Sequence, residues 1–236
     1  MHRPATAACA VLLALTSTFG ALVAPAATRY APLMPLAPRS LLLDLSPAGE
    51  RVVVAGERGH ILYSDDRGEN WSQARVPTTQ MLTGIHFSDE KKGWAVGHDG
   101  LILVSDDGGE NWRIQRDGLA AQQQLNLQQR ESAYSEVQRL TAALVDAGED
   151  VRADLELALE DARMDLEDAD LALEEGVFTS PLMDVWFLDA DRGWAVGAFG
   201  AFLETRNGGQ TWTSGAPQID NPDEFHLNAI TGTGDG

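Results

Sequence analysis

One eight-residue motif occurs three times in this chain, and its repetition constrains the fold more than any other feature. The copies are SDDRGENW at 64–71, SDDGGENW at 105–112 and TRNGGQTW at 205–212. Each copy follows a Gly-x-x-Gly, and Trp71 and Trp112 are 41 residues apart. Repetition of strand and turn residues at such a period is typical of a β-propeller, in which each repeat forms one blade.

Each repeat contains four short apolar segments punctuated by Gly and Asp or Asn, which predicts one four-stranded blade per repeat. We expect two blades in 41–118, and a third blade with the start of a fourth in 178–236. The segment 226–230 resembles the first strand of the fourth blade, but the sequence ends at Gly236 before a second strand. The pattern therefore predicts a C-terminally incomplete propeller of about three blades. An arc completed by self-association is the alternative.

The repeated motif, called the turn motif below, has the chemistry of a tight turn between the last two strands of a blade. Hydroxyl and Asp or Asn side chains bond to turn backbone, Gly adopts positive φ, and Trp packs beside the blade. The acidic pairs at 65–66 and 106–107 suggest calcium, but they lack the oxygen spacing and distal Glu of an EF-hand. We therefore predict a structural role for Ser64, Asp66, Gly68, Trp71, Ser105, Asp107, Gly109, Trp112, Thr205, Asn207, Gly209 and Trp212.

The stretch 119–177 interrupts the repeats, contains no Pro or Trp, and is rich in Ala, Leu, Gln, Glu and Asp. Steps of three and four residues predict one apolar helical seam in each half. The first seam is Ala133, Val137, Leu140 and Leu144; the second is Val151, Leu155, Ala158, Ala162, Leu166, Ala169 and Leu173. We expect an antiparallel helical hairpin with arms of roughly 40 Å. Its turn is predicted at 146–150, with Gly148 ending the first helix.

The first 26 residues have the pattern of a secretory signal peptide. A basic start is followed by an apolar run and by Ala24-Pro25-Ala26, which predicts cleavage after Ala26. An uncleaved membrane anchor is the alternative. A Pro-rich linker is predicted at 27–40. The single cysteine, Cys9, lies inside the leader, so the mature chain has no disulfide. We expect export to the periplasm or an equivalent extracytoplasmic compartment, and no integral membrane segment after cleavage.

Charge and motif content argue against several classes of function. The chain has 17 basic and 36 acidic residues, for a net charge of −19, whereas nucleic-acid binding requires a basic surface. The histidines at 60, 86, 98 and 226 are dispersed and show no zinc-ligand spacing. No Rossmann, P-loop or nucleophilic-triad pattern is present. We therefore predict no enzyme activity, no catalytic residue, no cofactor and no metal.

The turn motif resembles the Asp-box, or bacterial neuraminidase repeat, of sialidases and other propellers. A longer pattern, F-x-D-x-x-x-G-W-A-V-G-x-x-G, stands at 87–100 and again at 187–200. It resembles the photosystem II stability/assembly factor family, including its relatives in non-photosynthetic bacteria. The resemblance implies a non-enzymatic exported propeller that acts as an assembly, stability or scaffolding factor for a membrane-protein complex. In phototrophs this client is photosystem II, and outside them the client can differ.

The same resemblance implies an arginine-lined recognition surface, for which the candidate residues are Arg51, Arg58, Arg67, Arg75, Arg192 and Arg206. Two alternative functions stay open. One is a sialidase-type glycoside hydrolase, although the early Arg-Ile-Pro motif and a recognisable tyrosine nucleophile are missing. The other is an envelope accessory protein that docks a transporter through its helical arm, because 146–175 contains thirteen acidic residues and two arginines.

Overall fold

A computed structural model of the chain describes residues 29–233, in which twelve strands form three four-stranded antiparallel sheets. The first sheet contains β1 (Leu42–Ala48), β2 (Arg51–Gly56), β3 (Ile61–Ser64) and β4 (Ser72–Gln73). The second contains β5 (Leu82–Phe87), β6 (Gly93–Gly97), β7 (Ile102–Ser105) and β8 (Arg113–Arg116). The third contains β9 (Leu182–Phe187), β10 (Gly193–Gly197), β11 (Phe202–Thr205) and β12 (Thr213–Ser214).

Strand order follows chain order in every sheet, and successive sheets meet through their first strands. The carboxylate of Asp44 in β1 accepts a hydrogen bond from the backbone N–H of Ile85 in β5, at 2.7 Å. The hydroxyl of Thr83 in β5 donates to the carbonyl of Leu182 in β9, at 2.6 Å. Strand β5 therefore lies between β1 and β9, and these side-chain bonds join sheets that share no strand ladder.

Two large apolar layers, one on each face of the second sheet, form the centre of the core. Because side chains alternate along a strand, Ala95 and Leu103 enter the layer shared with the first sheet. Trp94 and Val104 enter the layer shared with the third sheet. There the Trp94 ring stacks on the Phe187 ring, with centroids 3.4 Å apart and planes at 6°. The second sheet is thus buried on both faces.

The Gly of the repeated Gly-Trp pair is required by a neighbouring aromatic ring. Gly93 pairs with Phe87 across the β5–β6 ladder, and a Cβ at Gly93 would lie 2.5 Å from that ring. Gly193 and Phe187 repeat the arrangement in the third sheet, with the same 2.5 Å approach. The ring covers the glycine backbone at the start of each second strand, so a side chain at either glycine would displace it.

Two long helices connect the second and third sheets, which confirms the predicted hairpin. Helix α1 spans Gly118–Val145 and helix α2 spans Glu149–Glu174. The buried centre of their interface consists of Leu140, Leu159 and Ala162, surrounded by Val137, Leu144, Leu155 and Ala158. The Asp117 side chain accepts a hydrogen bond from the N–H of Ala120 and caps α1.

Two details of the predicted hairpin are wrong. Val151, assigned to the seam, lies in the first turn of α2, is 45% exposed and is not part of the apolar cluster between the helices. Leu159, outside the predicted seam, is buried, since it lies four residues from Leu155 and three from Ala162. Gly148 does not end α1. It precedes α2 with φ −69° and ψ 163°, an extended conformation suited to the start of a helix.

The segment 29–40, predicted as a Pro-rich linker, lies against the first sheet. Ala31 donates its N–H to the Val76 carbonyl at 2.8 Å, and Ala37 is buried. The Arg75 guanidinium lies over the Tyr30 ring. The predicted signal peptide at 1–26 is outside the described residues. Between residues 29 and 233, no helix combines the length and apolar character needed to cross a membrane.

At the other end of the described chain, the segment 226–230 lies beside β9 without forming a strand ladder. The N–H of Ile230 donates to the Asp184 carboxylate in β9, at 2.9 Å. Ile85 makes the same bond to Asp44 where the second sheet joins the first. The segment therefore occupies the place that the first strand of a following sheet would take, and the number of blades stays a prediction.

Candidate partner-binding surface

The turn motif closes the third-to-fourth strand connection of each sheet through local hydrogen bonds. In the first copy, the Ser64 hydroxyl accepts from the N–H of Gly68 at 2.8 Å and donates to Asp66 at 2.7 Å. Asp66 also accepts from the backbone and side-chain nitrogens of Asn70, at 2.8 and 2.7 Å. In the second copy, Ser105, Asp107, Gly109 and Asn111 make the same four bonds.

The third copy makes the same bonds with donor and acceptor exchanged at one contact. Asn207 stands where the other copies have Asp, and its carbonyl oxygen accepts from the N–H of Thr211 at 3.0 Å. Its amide nitrogen then donates to the Thr211 hydroxyl at 2.9 Å. An Asp that accepts from Asn is thus replaced by an Asn that donates to Thr, which keeps every group paired.

The three motif tryptophans have different environments. Trp112 is buried, donates its indole N–H to the Gly109 carbonyl at 2.9 Å and meets the Phe87 ring edge-on. Trp212 meets Phe187 in the same way, but its indole nitrogen is buried without a partner among the described residues. Trp71 is partly exposed. The expected packing is therefore most complete in the second sheet.

Local hydrogen bonds lower the pKa values of two turn aspartates, Asp66 in the first turn motif and Asp189 in another turn. Donation from the backbone of Asn70, and then from its side chain and the Ser64 hydroxyl, lowers the pKa of Asp66 from 3.8 to about 2. Asp189, in the β9–β10 turn, accepts from the N–H groups of Arg192 and Asp191 and from the Arg192 guanidinium. These bonds lower its pKa to about 2 as well. Each carboxylate is therefore saturated by its own turn.

Within residues 29–233, no group of three His, Cys, Asp or Glu side chains is arranged to hold a metal ion.

The candidate arginines lie at both ends of the sheets, and several are paired within the chain. Arg51 pairs with Asp65 and Glu110, at 2.7 and 3.1 Å, and its guanidinium lies over the Tyr63 ring. Arg192 and Arg206 pair with Asp189 and Glu204, at 2.8 and 3.7 Å. Arg75 contacts Tyr30, while Arg58 and Arg67 lie in turns at opposite ends of the first sheet. Three of these six arginines are thus engaged by carboxylates of the same chain.

A groove of about 670 Å³ lies where the hairpin meets the third sheet. We call it the hairpin groove. Apolar side chains line part of it, namely Leu125, Phe178, Leu182, Leu203 and Trp212. Neutral hydrogen-bonding side chains line the rest: Gln122, Gln124, Gln128, Thr179, Ser180 and Ser214. Such a combination suits a polypeptide segment, because amides pair with its backbone while apolar contacts take its side chains.

Arg116 supplies positive charge at this groove. Its guanidinium donates to the Gly100 carbonyl at 2.6 Å, which holds the side chain at the base of α1. Sequence reasoning missed the groove, although one signal was present. The first turns of α1 contain the glutamine-rich run 122–129 and lack acidic residues, in contrast to α2.

A comparison with models of protein families matches the part of the chain that contains the turn motifs. The family model described as photosynthesis system II assembly factor YCF48 matches residues 63–136 and 166–236, which is more than half of the chain. The chain belongs to this family. The two matched ranges contain all three turn motifs and omit the centre of the hairpin.

Individual YCF48 proteins are similar over limited parts. Photosystem II assembly protein Ycf48 of Thermosynechococcus vestitus is 36% identical over 53 residues, which are 22% of this chain and 15% of that protein. The solved YCF48 from Cyanidioschyzon merolae has 18% identity and a TM-score of 0.44, covering 79% of this chain and 42% of that one. A structure described as YCF48 bound to D1 peptide has 13% identity and a TM-score of 0.44, covering 73% and 39%. The chain thus spans about two-fifths of the solved relatives.

The exchanged pair in the third turn motif predicts a coupled mutational effect in this YCF48-family chain. Asp107→Asn should lower the free energy of unfolding by about 1 kcal/mol, because the new amide nitrogen faces the amide nitrogen of Asn111. Asn111→Thr alone should also destabilise the protein. The double variant Asp107→Asn/Asn111→Thr recreates the third copy and should recover most of the loss in urea unfolding. Additive losses in this double-mutant cycle would contradict the proposed pairing.

The depressed pKa values predict loss of stability in acid. An aspartate with a folded-state pKa of about 2 stabilises the fold at pH values above its unfolded pKa of 3.8. This contribution disappears as the pH falls through 2. The urea midpoint of unfolding should therefore decrease as the pH is lowered from 4 to 2. In the Asp189→Asn variant this decrease should be smaller, because the amide does not titrate. The Asp220→Asn variant, at an exposed position, is the control. If its urea midpoint became equally insensitive to pH, the acid effect could not be assigned to Asp189.

Proposed function

We propose that this chain is an exported, non-enzymatic β-propeller protein that assists the assembly or stability of a membrane-protein complex. Where the host is phototrophic, the client is photosystem II. Membership of the YCF48 family supports this assignment, as does the name of the matched cyanobacterial relative. The matched segment is 15% of the length of that relative.

The proposed propeller architecture rests on the way that the sheets join. Each is a four-stranded meander, and the first strands β1, β5 and β9 lie side by side. Asp44 in β1 and Asp184 in β9 accept equivalent hydrogen bonds from the segment that follows each sheet. We propose that the sheets are three consecutive blades and that 226–230 begins a fourth.

The hairpin groove is the observation that carries the binding role. It combines an apolar lining with neutral amide and hydroxyl groups beside the half-buried Arg116. An extended client segment would place a side chain against Leu203 and Trp212 and pair its backbone with the groove amides. The groove therefore selects by shape and hydrogen bonding, and Arg116 favours a segment that carries a negative charge nearby.

A single substitution on α1 separates the groove from the rest of the hairpin. Leu125 lines the groove and is 44% exposed, whereas Leu127 has similar exposure and is outside the groove lining. Leu125→Arg should weaken binding of client peptides at least tenfold, because it removes an apolar contact and fills the groove with a longer side chain. Leu127→Arg should bind as the unchanged protein does. Fluorescence anisotropy with peptides from the extracytoplasmic segments of photosystem II core subunits measures both.

Two results would contradict this proposal. One is equal binding by the Leu125→Arg and Leu127→Arg variants, which would place the peptide elsewhere. The other is turnover of a fluorogenic sialoside by the purified protein, which would favour the hydrolase alternative. Circular dichroism of both variants checks that the helices are intact, so that a loss of binding reports on the groove.

Export is proposed from the leader pattern at 1–26. Expression with the leader should yield an extracytoplasmic protein whose first residue, measured by mass spectrometry, is Ala27. Replacing Ala24 and Ala26 with bulky residues should leave the leader attached, since signal cleavage requires small side chains. Retention of the normal product in the cytoplasm would refute export.

A further inference from the structure

Helix α2 has a second apolar stripe on the side that faces away from α1. Leu157, Met164 and Leu171 are spaced by seven residues and are 61%, 53% and 52% exposed. With 3.6 residues per turn, these positions lie on the side of the helix opposite Leu155, Ala162 and the rest of the buried seam. Single exposed apolar residues are ordinary on a surface, but a heptad repeat of them is typical of a helix-pairing seam.

Acidic side chains flank this stripe on both sides. Helical rotation places Asp154, Asp161, Asp165 and Asp168 along one side of it. Glu156, Glu160, Glu167 and Glu174 lie along the other. None of these eight carboxylates forms an ion pair with another residue of the range 29–233. We call the stripe with its two flanks the acidic seam.

The charge of the acidic seam selects among its possible occupants. A second copy of α2 would oppose two rows of carboxylates, and an anionic membrane surface would repel them. A helix with apolar residues at heptad positions and Lys or Arg beside them satisfies both parts of the seam. In coiled coils, the positions beside the apolar seam set partner choice through such pairs.

We propose that the acidic seam is a docking site for a basic amphipathic helix of a partner protein, which packs on α2 as a third helix. The apolar residues of the partner lie over Leu157, Met164 and Leu171, and its basic residues meet the flanking carboxylates. This site is separate from the hairpin groove, which is lined by α1 and the third sheet, and it does not depend on the proposed client.

The test uses three designed peptides, each three heptads long, and the whole protein. The first has Leu at a and d and Lys at e and g; the second is a scramble of the same composition; the third has Glu in place of Lys. The first peptide should bind at least tenfold more tightly than the other two by fluorescence anisotropy. Its Kd should rise when the salt concentration is increased, since the flanking pairs are solvent-exposed.

Variants assign the binding to the seam. Leu157→Gln/Met164→Gln/Leu171→Gln keeps good helix formers and should weaken binding of the first peptide at least tenfold. Leu127→Gln, at an exposed position of α1, is the control and should leave binding unchanged. Leu125→Arg should also leave it unchanged, so failure of this proposal is distinguishable from failure of the groove. Circular dichroism confirms that each variant retains its helices.

Four outcomes would overturn the proposal. The first is equal binding of the scrambled peptide, which would show attraction by charge alone. The second is unchanged binding in the triple Gln variant. The third is concentration-dependent dimerisation in sedimentation that the triple variant abolishes, since a second copy would then be the occupant. The fourth is that the protein binds anionic phospholipid vesicles but not the first peptide, and that the triple Gln variant loses the vesicle binding.

Discussion

The second sheet depends on having an apolar neighbour on each face, and the rest of the structure follows from that requirement. A sheet of four short strands is marginally stable alone. Trp94 turns one way to stack on Phe187 of the third sheet, while Leu103 turns the other way into the layer shared with the first. Glycines 93 and 193 keep the aromatic rings in place by leaving room for them. Each sheet therefore stabilises its neighbour by covering one of its apolar faces.

The polar groups of the turn motifs are hydrogen-bonded within the motifs themselves, so the proposed binding surfaces lie elsewhere. Asp66 is saturated by Asn70 and Ser64, and Asn207 is saturated by Thr211 and Thr205. A carboxylate that accepts three local hydrogen bonds has little capacity left for a ligand. The two proposed binding surfaces, the hairpin groove and the acidic seam, both involve the helical hairpin that interrupts the repeats.

Most of the fold could be predicted from the sequence, because each strand has its local turn signals and each helix its own periodicity. The errors lie where local pattern allows two answers. Both Ala158 and Leu159 fit the steps of three and four, and both pack in the interface, where the leucine is the more buried. Gly148 suits either end of a helix. The groove could not be predicted, since Arg116 and Leu125 are far from Trp212 in the sequence and line the same groove only after the third sheet docks.

The two surfaces of the hairpin differ in a way that suits simultaneous use. The groove lies at the base of α1, near Gly100 and Gly118, and its amides favour an extended segment. The acidic seam runs along the opposite side of α2 for about 21 Å from Leu157 to Leu171, at 1.5 Å per residue. A helix on that seam would contact no residue of the groove lining. Because α1 and α2 share one packed interface, a partner helix on α2 would leave the α1 wall of the groove available to a second ligand.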